Sequence, residues 1–246
     1  MRIALFADIH ANLEALSACL ADAGRRGADR HVFLGDIVGY GADPVACVTH
    51  VREAAERGAI VVRGNHDEAV VASGFKLNPI ARLAVDWTRT VLPDDMRNYL
   101  SGLPLTVVEN DRLYVHASAV DPGQFPYVHG LAEAHASLTA TTHRITFAGH
   151  VHAPALYNVA VTGKVAGFIP LSNVAVPLSE RRRWLAVLGA VGQPRDRNPA
   201  AAYGLFDTST AEITYVRVPY DCEAAAAKIR AAGLPENLWK RLLTGT

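Results

Sequence analysis

The chain alternates between short apolar runs and longer amphipathic stretches. RIALFA (2–7), HVFLG (31–35) and AIVVRG (59–64) are apolar and of strand length. Between them, ANLEALSACLADAGRRG (11–27) sets Leu13, Leu16 and Leu20 on one helical face and ends in glycine. ADPVACVTHVREAAERG (42–58) has Pro44 near its start and Gly58 at its end, a second helix. This βαβαβ order predicts parallel strands joined by right-handed crossovers.

From about residue 67 to 103 the pattern turns helical, with breaks at Pro79 and Pro93. LTVVEN and DRLYVHA then read as a hairpin around Asn110-Asp111. GLAEAHASLTATTH predicts a helix, ITFAG a strand, and ALYNVAV-TG-KVAGFI a further hairpin. RWLAVLGAV and AAYGLFDTSTAEITYVRV complete a β-rich second half. The last segment, from Asp221, reads as two helices split at Gly233–Pro235 (C-terminal helices at about 220–244). The expected fold class is α/β: two mixed β-sheets face to face, with helices on both outer sides, as one domain over residues 1–246.

Composition adds exclusions. At 246 residues the chain is long enough for a substantial core. Lys and Arg balance Asp and Glu at 24 each, so no basic bias points to nucleic acid and no acidic bias to disorder. No apolar stretch approaches a membrane span, and the first apolar run is too short for a signal peptide. Cys19, Cys47 and Cys222 show no paired spacing and read as reduced thiols. A cytoplasmic protein with no membrane partner is the expectation.

The candidate chemistry collects where the apolar strands end. FADIH places Asp8 and His10 after the first run, FLGDIVG places Asp36 after the second, and VVRGNHDE places Asn65, His66 and Asp67 after the third. LYVHAS ends with His116, and TFAGHVH with His150 and His152. In parallel sheets the carboxyl ends of strands line the ligand crevice. Any one of these residues alone has an ordinary explanation: a core histidine, a helix cap for Asp8 or Asp36, a turn for Asn65. Together, imidazole and carboxylate suit zinc, iron, manganese or nickel. Asp8, His10, Asp36, Asn65, His116, His150 and His152 are too many for one ion and enough for two sharing a carboxylate. Such a pair is a known clamp for phosphate ester hydrolysis, and its positive charge attracts an anionic phosphate.

This ordered set, D-x-H, GD, GNHD, H and GHxH over residues 8–152, resembles the calcineurin-like metallophosphoesterase superfamily. The resemblance implies a four-layer α/β/β/α sandwich and two divalent transition-metal ions, with manganese favoured. Carried over, Asp8, His10, Asp36 and His152 hold the first metal, Asp36 bridges, and Asn65, His116 and His150 complete the second. His66 stabilises phosphoryl oxygens or protonates the leaving group, and a metal-bridging hydroxide attacks in line. DIHANLEAL, GQPRD (192–196) and the C-terminal VPYD and AAGLPE are similar to a bacterial and archaeal branch of small phosphoesterases. Some names in that branch are phosphodiesterase and diadenosine-tetraphosphatase-like protein. The implied substrate is a small phosphate ester, a diester or nucleotide derivative. A phosphomonoesterase or protein phosphatase is the alternative, and a non-catalytic binding module a third reading. Gly39 stands where the protein phosphatases carry an aspartate that orients the catalytic histidine, which weakens the phosphoprotein reading.

Four weaker signals stay open. Arg195 reaches a substrate phosphate or is a loop arginine. Asn12 is a site donor or a helix cap, and Asp67 hydrogen-bonds His66 or caps the following helix. Arg181, Arg182 and Arg183 form a basic run that attracts a nucleic acid or nucleotide or, the favoured reading, is a solvated patch beginning a strand. Gly149 should give the backbone room to turn so that both histidines of GHVH reach inward, with Val151 facing away.

Overall fold

The computed structural model describes residues 1–72 and 74–246. Its first strand, β1 (Arg2–Phe6), pairs in parallel with β2 (Arg30–Phe33), which pairs in parallel with β3 (Ile60–Val61). Helices α1 (Leu13–Arg25) and α2 (Pro44–Glu56) make the crossovers. Asn12 caps α1 by accepting from the Ala15 amide at 3.1 Å, and Pro44 opens α2 at its first turn. The inner line of α1 is Ala15, Leu16, Cys19 and Ala23, while Leu13 and Leu20 are only partly buried. Small residues let the helix lie close on the sheet, which a leucine stripe would have held further off. The third strand is shorter than AIVVRG promised, because Arg63 leaves β2 and donates to the Pro104 carbonyl.

Three helices follow, α3 (Asn65–Val71), α4 (Pro79–Val91) and α5 (Asp94–Ser101), filling the stretch expected to be helical. Ser73, within it, lies outside the described residues. The hairpin of β4 (Thr106–Glu109) and β5 (Arg112–Val115) turns at Asn110, whose φ of 54° suits an asparagine. Then come α6 (Leu131–Thr139), β6 (Ile145–Ala148), β7 (Ala155–Ala160), β8 (Val165–Phe168), β9 (Ala175–Pro177) and β10 (Arg182–Val187). The hairpin of β11 (Ala201–Asp207) and β12 (Glu212–Val218) precedes α7 (Cys222–Ala231) and α8 (Glu236–Thr244).

These strands form two six-stranded mixed sheets, ordered β3-β2-β1-β11-β12-β9 and β4-β5-β6-β10-β7-β8. The fold is the α/β/β/α sandwich. Period-two alternation sorts side chains between layers. Ile3, Leu5 and Ala7, with Phe206 of β11, face the second sheet and its Tyr114, Phe147 and Trp184, while Ala4 and Phe6 face α1 and α2. On the second sheet's outer face, Val115, Leu185 and Val187 pack against Ala134 and Leu138 of α6. The β-rich second half is thus divided. Strands β6, β7, β8 and β10 build the second sheet, and β11 returns to pair antiparallel with β1. Strand β9 and a 3₁₀ turn at Pro122–Gln124 had no counterpart in the sequence reading.

Cys19, Cys47 and Cys222 are all free, and burial pushes each thiol pKa up. The thiolate is the nucleophile. Cys19 and Cys47, fully buried under α1 and α2, should therefore resist iodoacetamide in the native state. Intact-mass measurement should find at most one alkylation, at Cys222, before denaturation and three after it. Rapid native labelling of Cys19 would mean that α1 is not seated as described.

Candidate metal centre

Each ligand-type residue sits on a loop at the carboxyl end of a parallel strand. Asp8 and His10 follow β1, Asp36 follows β2, Asn65 opens α3 after β3, His116 follows β5, and His150 and His152 follow β6. Both sheets contribute to one rim. The loops turn sharply: Asp8, His10, Asp36, His150 and His152 all have positive φ, between 49° and 69°. Non-glycine residues rarely adopt this region, and each instance costs on the order of 1 kcal/mol or more. Cross-bracing offsets the strain. His10 N donates to Asp36 O at 2.9 Å, Gly149 N to His116 O at 2.7 Å, and Gly192 N to Asp8 O at 2.8 Å.

The side chains converge as two groups. Ligand atoms of Asp8, His10, Asp36 and His152 lie within 4.8 Å of one another, as do those of Asp36, His116 and His150. Asp36 belongs to both. Asn65 joins the second group, its Oδ1 3.1 Å from His116 Nε2. The Asp36 Oδ2 atom stands 3.5 Å from both His10 Nε2 and His116 Nε2. Val151 packs on the outer-face cluster with α6, away from both groups. Gly149 has a role other than the one expected: positive φ falls on His150 and His152 instead. A Cβ at Gly149 would stand 2.7 Å from Asp8 Oδ2. The glycine admits that carboxylate, which accepts from His150 N at 2.9 Å.

Hydrogen bonding fixes the imidazoles. His10 Nδ1 faces the Val38 carbonyl at 3.2 Å, His116 Nδ1 that of Leu34 at 2.7 Å, and His152 Nδ1 that of Gln193 at 2.7 Å. A carbonyl only accepts, so Nδ1 carries the proton and Nε2 points inward. Backbone carbonyls holding the far ring nitrogen in this way are the usual support of metal-binding histidines. His10 Nε2 and His152 Nε2 then face each other at 3.0 Å. Two lone pairs at that distance have no hydrogen between them to share, and a shared cation resolves the contact.

Charge leads to the same fit. Burial holds His10 and His152 well below the usual imidazole pKa, and burial with the His116 charge takes His150 to about 3. All three are neutral donors. Burial alone would raise Asp36, but His116, His66 and His10 outweigh it and hold it well below the carboxylate range. Burial also opposes a charge on His116, yet Asp36 and Asp8 raise its pKa to about 9. The carboxylates draw a proton to the place a cation would take. Neutral imidazoles, an amide oxygen and two carboxylates, with no thiolate, suit divalent metals of intermediate hardness.

The remaining predicted residues divide. His66 is buried beside the first group, its ring 4.9 Å from that of His10, and lines the adjoining cleft. Its Nδ1 has no hydrogen-bond partner among the described residues. A Cβ at Gly39, where φ is +88°, would lie 2.4 Å from that nitrogen. Asp67 does not reach His66. Its Oδ1 accepts from Ile37 N at 2.9 Å and Val38 N at 3.2 Å, and Oδ2 from Gly64 N at 3.0 Å. Of the two readings of Asp67, the hydrogen bond to His66 that would have made it part of the catalytic pair gives way to the capping one, because three backbone amides occupy the carboxylate. Asn12 is likewise spent: besides capping α1, its Nδ2 donates to Gly192 O at 2.8 Å and Tyr220 Oη at 3.1 Å. Arg195 differs from both. Its backbone N donates to His152 O, its Nη2 donates to Gln193 Oε1 at 2.9 Å, its guanidinium lies over the Tyr40 ring at 5.5 Å, and its Nε has no partner among the described residues.

Sequence reasoning missed the aromatic frame. The Tyr40 ring lies 4.4 Å from that of His66 and 4.6 Å from that of His10, and Tyr127 stacks on His150 at 3.9 Å. With Phe75, Phe125 and Lys76 they line a cleft of about 620 Å³ that opens onto Asn65, His66 and His150. No spacing rule marks these residues, which lie on separate loops.

Comparison with known proteins accords with this geometry. A family model described as the calcineurin-like phosphoesterase superfamily domain matches residues 1–211. The crystal structure of a metallophosphoesterase from Sphaerobacter thermophilus is 38% identical, with a TM-score of 0.88, covering 100% of this chain and 99% of that one. An uncharacterized protein of Methanocaldococcus jannaschii is 35% identical over 99% of this chain and 98% of its own. A hypothetical protein from Pyrococcus horikoshii shares the fold at a TM-score of 0.80 and 20% identity, over 100% of this chain and 98% of its own. The chain is thus a hydrolase of phosphate ester bonds, of the kind that works with a dinuclear divalent metal centre. It belongs to the calcineurin-like phosphoesterase superfamily.

Two substitutions separate holding from acting. In Gly39→Ala the new methyl displaces His66 without touching the ligand groups. Metal content by mass spectrometry should equal that of the parent, while kcat falls about a hundredfold, the low end of one general acid–base contribution. Asp67→Ala strands three buried amides and should lower stability by about 3 kcal/mol in urea denaturation. A stability equal to the parent's would refute the bracing role.

Proposed function

We propose that the protein hydrolyses phosphodiesters, with nucleotide-derived diesters as its substrate class. The observation carrying this reading is the cleft beside the two ligand groups. It has room for two organic substituents on phosphorus, and Phe75 and Phe125 place aromatic surface in its wall against which a flat base packs. Lys76, in the same wall, suits a second phosphate.

The first metal would be held by Asp8, His10, Asp36 and His152, and the second by Asp36, Asn65, His116 and His150. Two such cations would supply Lewis-acid polarisation of the phosphoryl oxygens and a water of lowered pKa. The chain's own residues do the rest. Asp36 neutralises charge at the centre of the pair. Arg195, whose Nε has no partner among the described residues, and His66, at the cleft wall, donate to the non-bridging oxygens and fix the phosphorus for in-line displacement. Tyr40 packs against the His66 ring at a tilt of 57° and carries the Arg195 guanidinium, so it braces both donors. Manganese is the favoured metal among those suited to nitrogen and oxygen ligands, and the three free thiols fit a reducing cytoplasm. A phosphoprotein substrate is disfavoured by Gly39, which leaves His66 Nδ1 without an aspartate.

The manganese-loaded protein should hydrolyse bis-p-nitrophenyl phosphate faster than p-nitrophenyl phosphate. Asp36→Ala and His66→Ala should each reduce turnover by at least a hundredfold, and a chelator should abolish it until metal is restored. Phe125→Ala should raise KM for a dinucleotide more than for the nitrophenyl diester. Preference for the monoester would overturn the diester reading, and an unchanged dinucleotide KM the stacking one.

A further inference from the structure

We infer that the flank of the sandwich formed by β8, the loop 169–174 and β9 is a twofold interface with a second copy of this chain. Strand β8 ends one sheet and β9 ends the other, each paired on one side only among the described residues. Strand β8 therefore presents a free backbone edge, the arrangement most prone to pairing with another strand. Natural edges are commonly guarded by charge. Here residues 165–179 contain no Asp, Glu, Lys or Arg, and the nearest charges, Lys164 and Glu180, lie just outside.

Apolar side chains stand on this edge in fixed poses. Ile169 is 79% exposed and Leu171 74%, while Pro170 between them is buried. Asn173 pins the loop: its N donates to Tyr215 O at 2.8 Å, and its Oδ1 accepts from Arg26 Nη2 at 3.0 Å. The loop thus holds Ile169 and Leu171 outward. Phe168, Val174 and Leu131, the last beside Gly167, extend the same surface. Their uncovered apolar area is on the order of 500 Å², near the top for the largest patch on a monomer. A standard interface takes about 800 Å² from each partner, its remainder a polar rim such as Ser172 and Ser179 provide.

Charge selects the occupant. A segment without charged side chains, beside an Arg26 already paired with Asp22, offers little to an acidic or basic partner, and a chain of zero formal charge does not repel its own copy. An antiparallel edge is also self-complementary: a twofold axis beside β8 pairs it with β8 of the copy and apposes the two apolar loops. The result is a continuous twelve-stranded sheet with the metal rims of both copies left open.

Sedimentation velocity on the manganese-loaded full chain tests this. The expected mass at tens of micromolar is twice 26.4 kDa. Ile169→Asp with Leu171→Asp should halve it while leaving the circular dichroism spectrum and diester turnover per chain unchanged. Hydrogen exchange on the unaltered protein gives a second reading: amides 165–168 should slow as concentration rises. A monomer at these concentrations, a dimer unmoved by the two aspartates, or exchange independent of concentration would each overturn the assignment. So would binding of the unaltered monomer to phosphatidylcholine vesicles through this loop.

Discussion

The architecture turns on one buried anion. Asp36 is 1% exposed, and its carboxylate is the only side chain common to both ligand groups among the described residues. A carboxylate so placed is costly unless opposite charge or hydrogen bonds surround it. The chain supplies the His66 amide at 2.8 Å and the imidazoles of His10 and His116. Those partners are neutral or bear at most a shared proton, so the compensation is complete only when cations enter. The protein folds around a charge deficit that defines what it binds.

That requirement explains the unusual backbone of the rim. An extended strand would keep residues two apart on one face but about 7 Å from each other along the chain, too widely spaced to bring Asp8 and His10 into one ligand group. Positive-φ backbone at these residues curls the chain and shortens that spacing. The strain is tolerated because neighbouring loops exchange backbone hydrogen bonds and because Asp67 ties Gly64, Ile37 and Val38 together. Glycines then occupy the points of closest approach, as Gly149 does against Asp8.

Much of the rim was legible because it is built locally. Each ligand-type residue directly follows an apolar strand, and the first βαβαβ unit is set by adjacent segments. Long-range pairing left no such trace. Nothing in AAYGLFD indicates that β11 lies antiparallel to β1, some two hundred residues away. The aromatic cleft is equally silent, since Tyr40, Phe75 and Tyr127 meet only through tertiary packing. Asn12 and Asp67 show the opposite failure. Both are polar residues beside the motifs, yet helix ends and loop amides take all their hydrogen-bonding capacity.

Because each ligand group draws on both sheets, the centre is also coupled to the packing between them. His152 comes from the second sheet to meet Asp8 and His10 of the first, and Asn65 from the first to meet His116 and His150 of the second. Sliding one sheet over the other would pull both groups apart. Resistance comes from the inter-sheet layer, where Tyr114 stacks on Phe147 at 5.6 Å and Phe206 meets Phe147 edge-on at 5.3 Å. Interiors packed at crystal-like density deform little. The large aromatics between the sheets therefore set the separation of ligands at the rim, and geometry at the centre is inherited from a core that carries none of the chemistry.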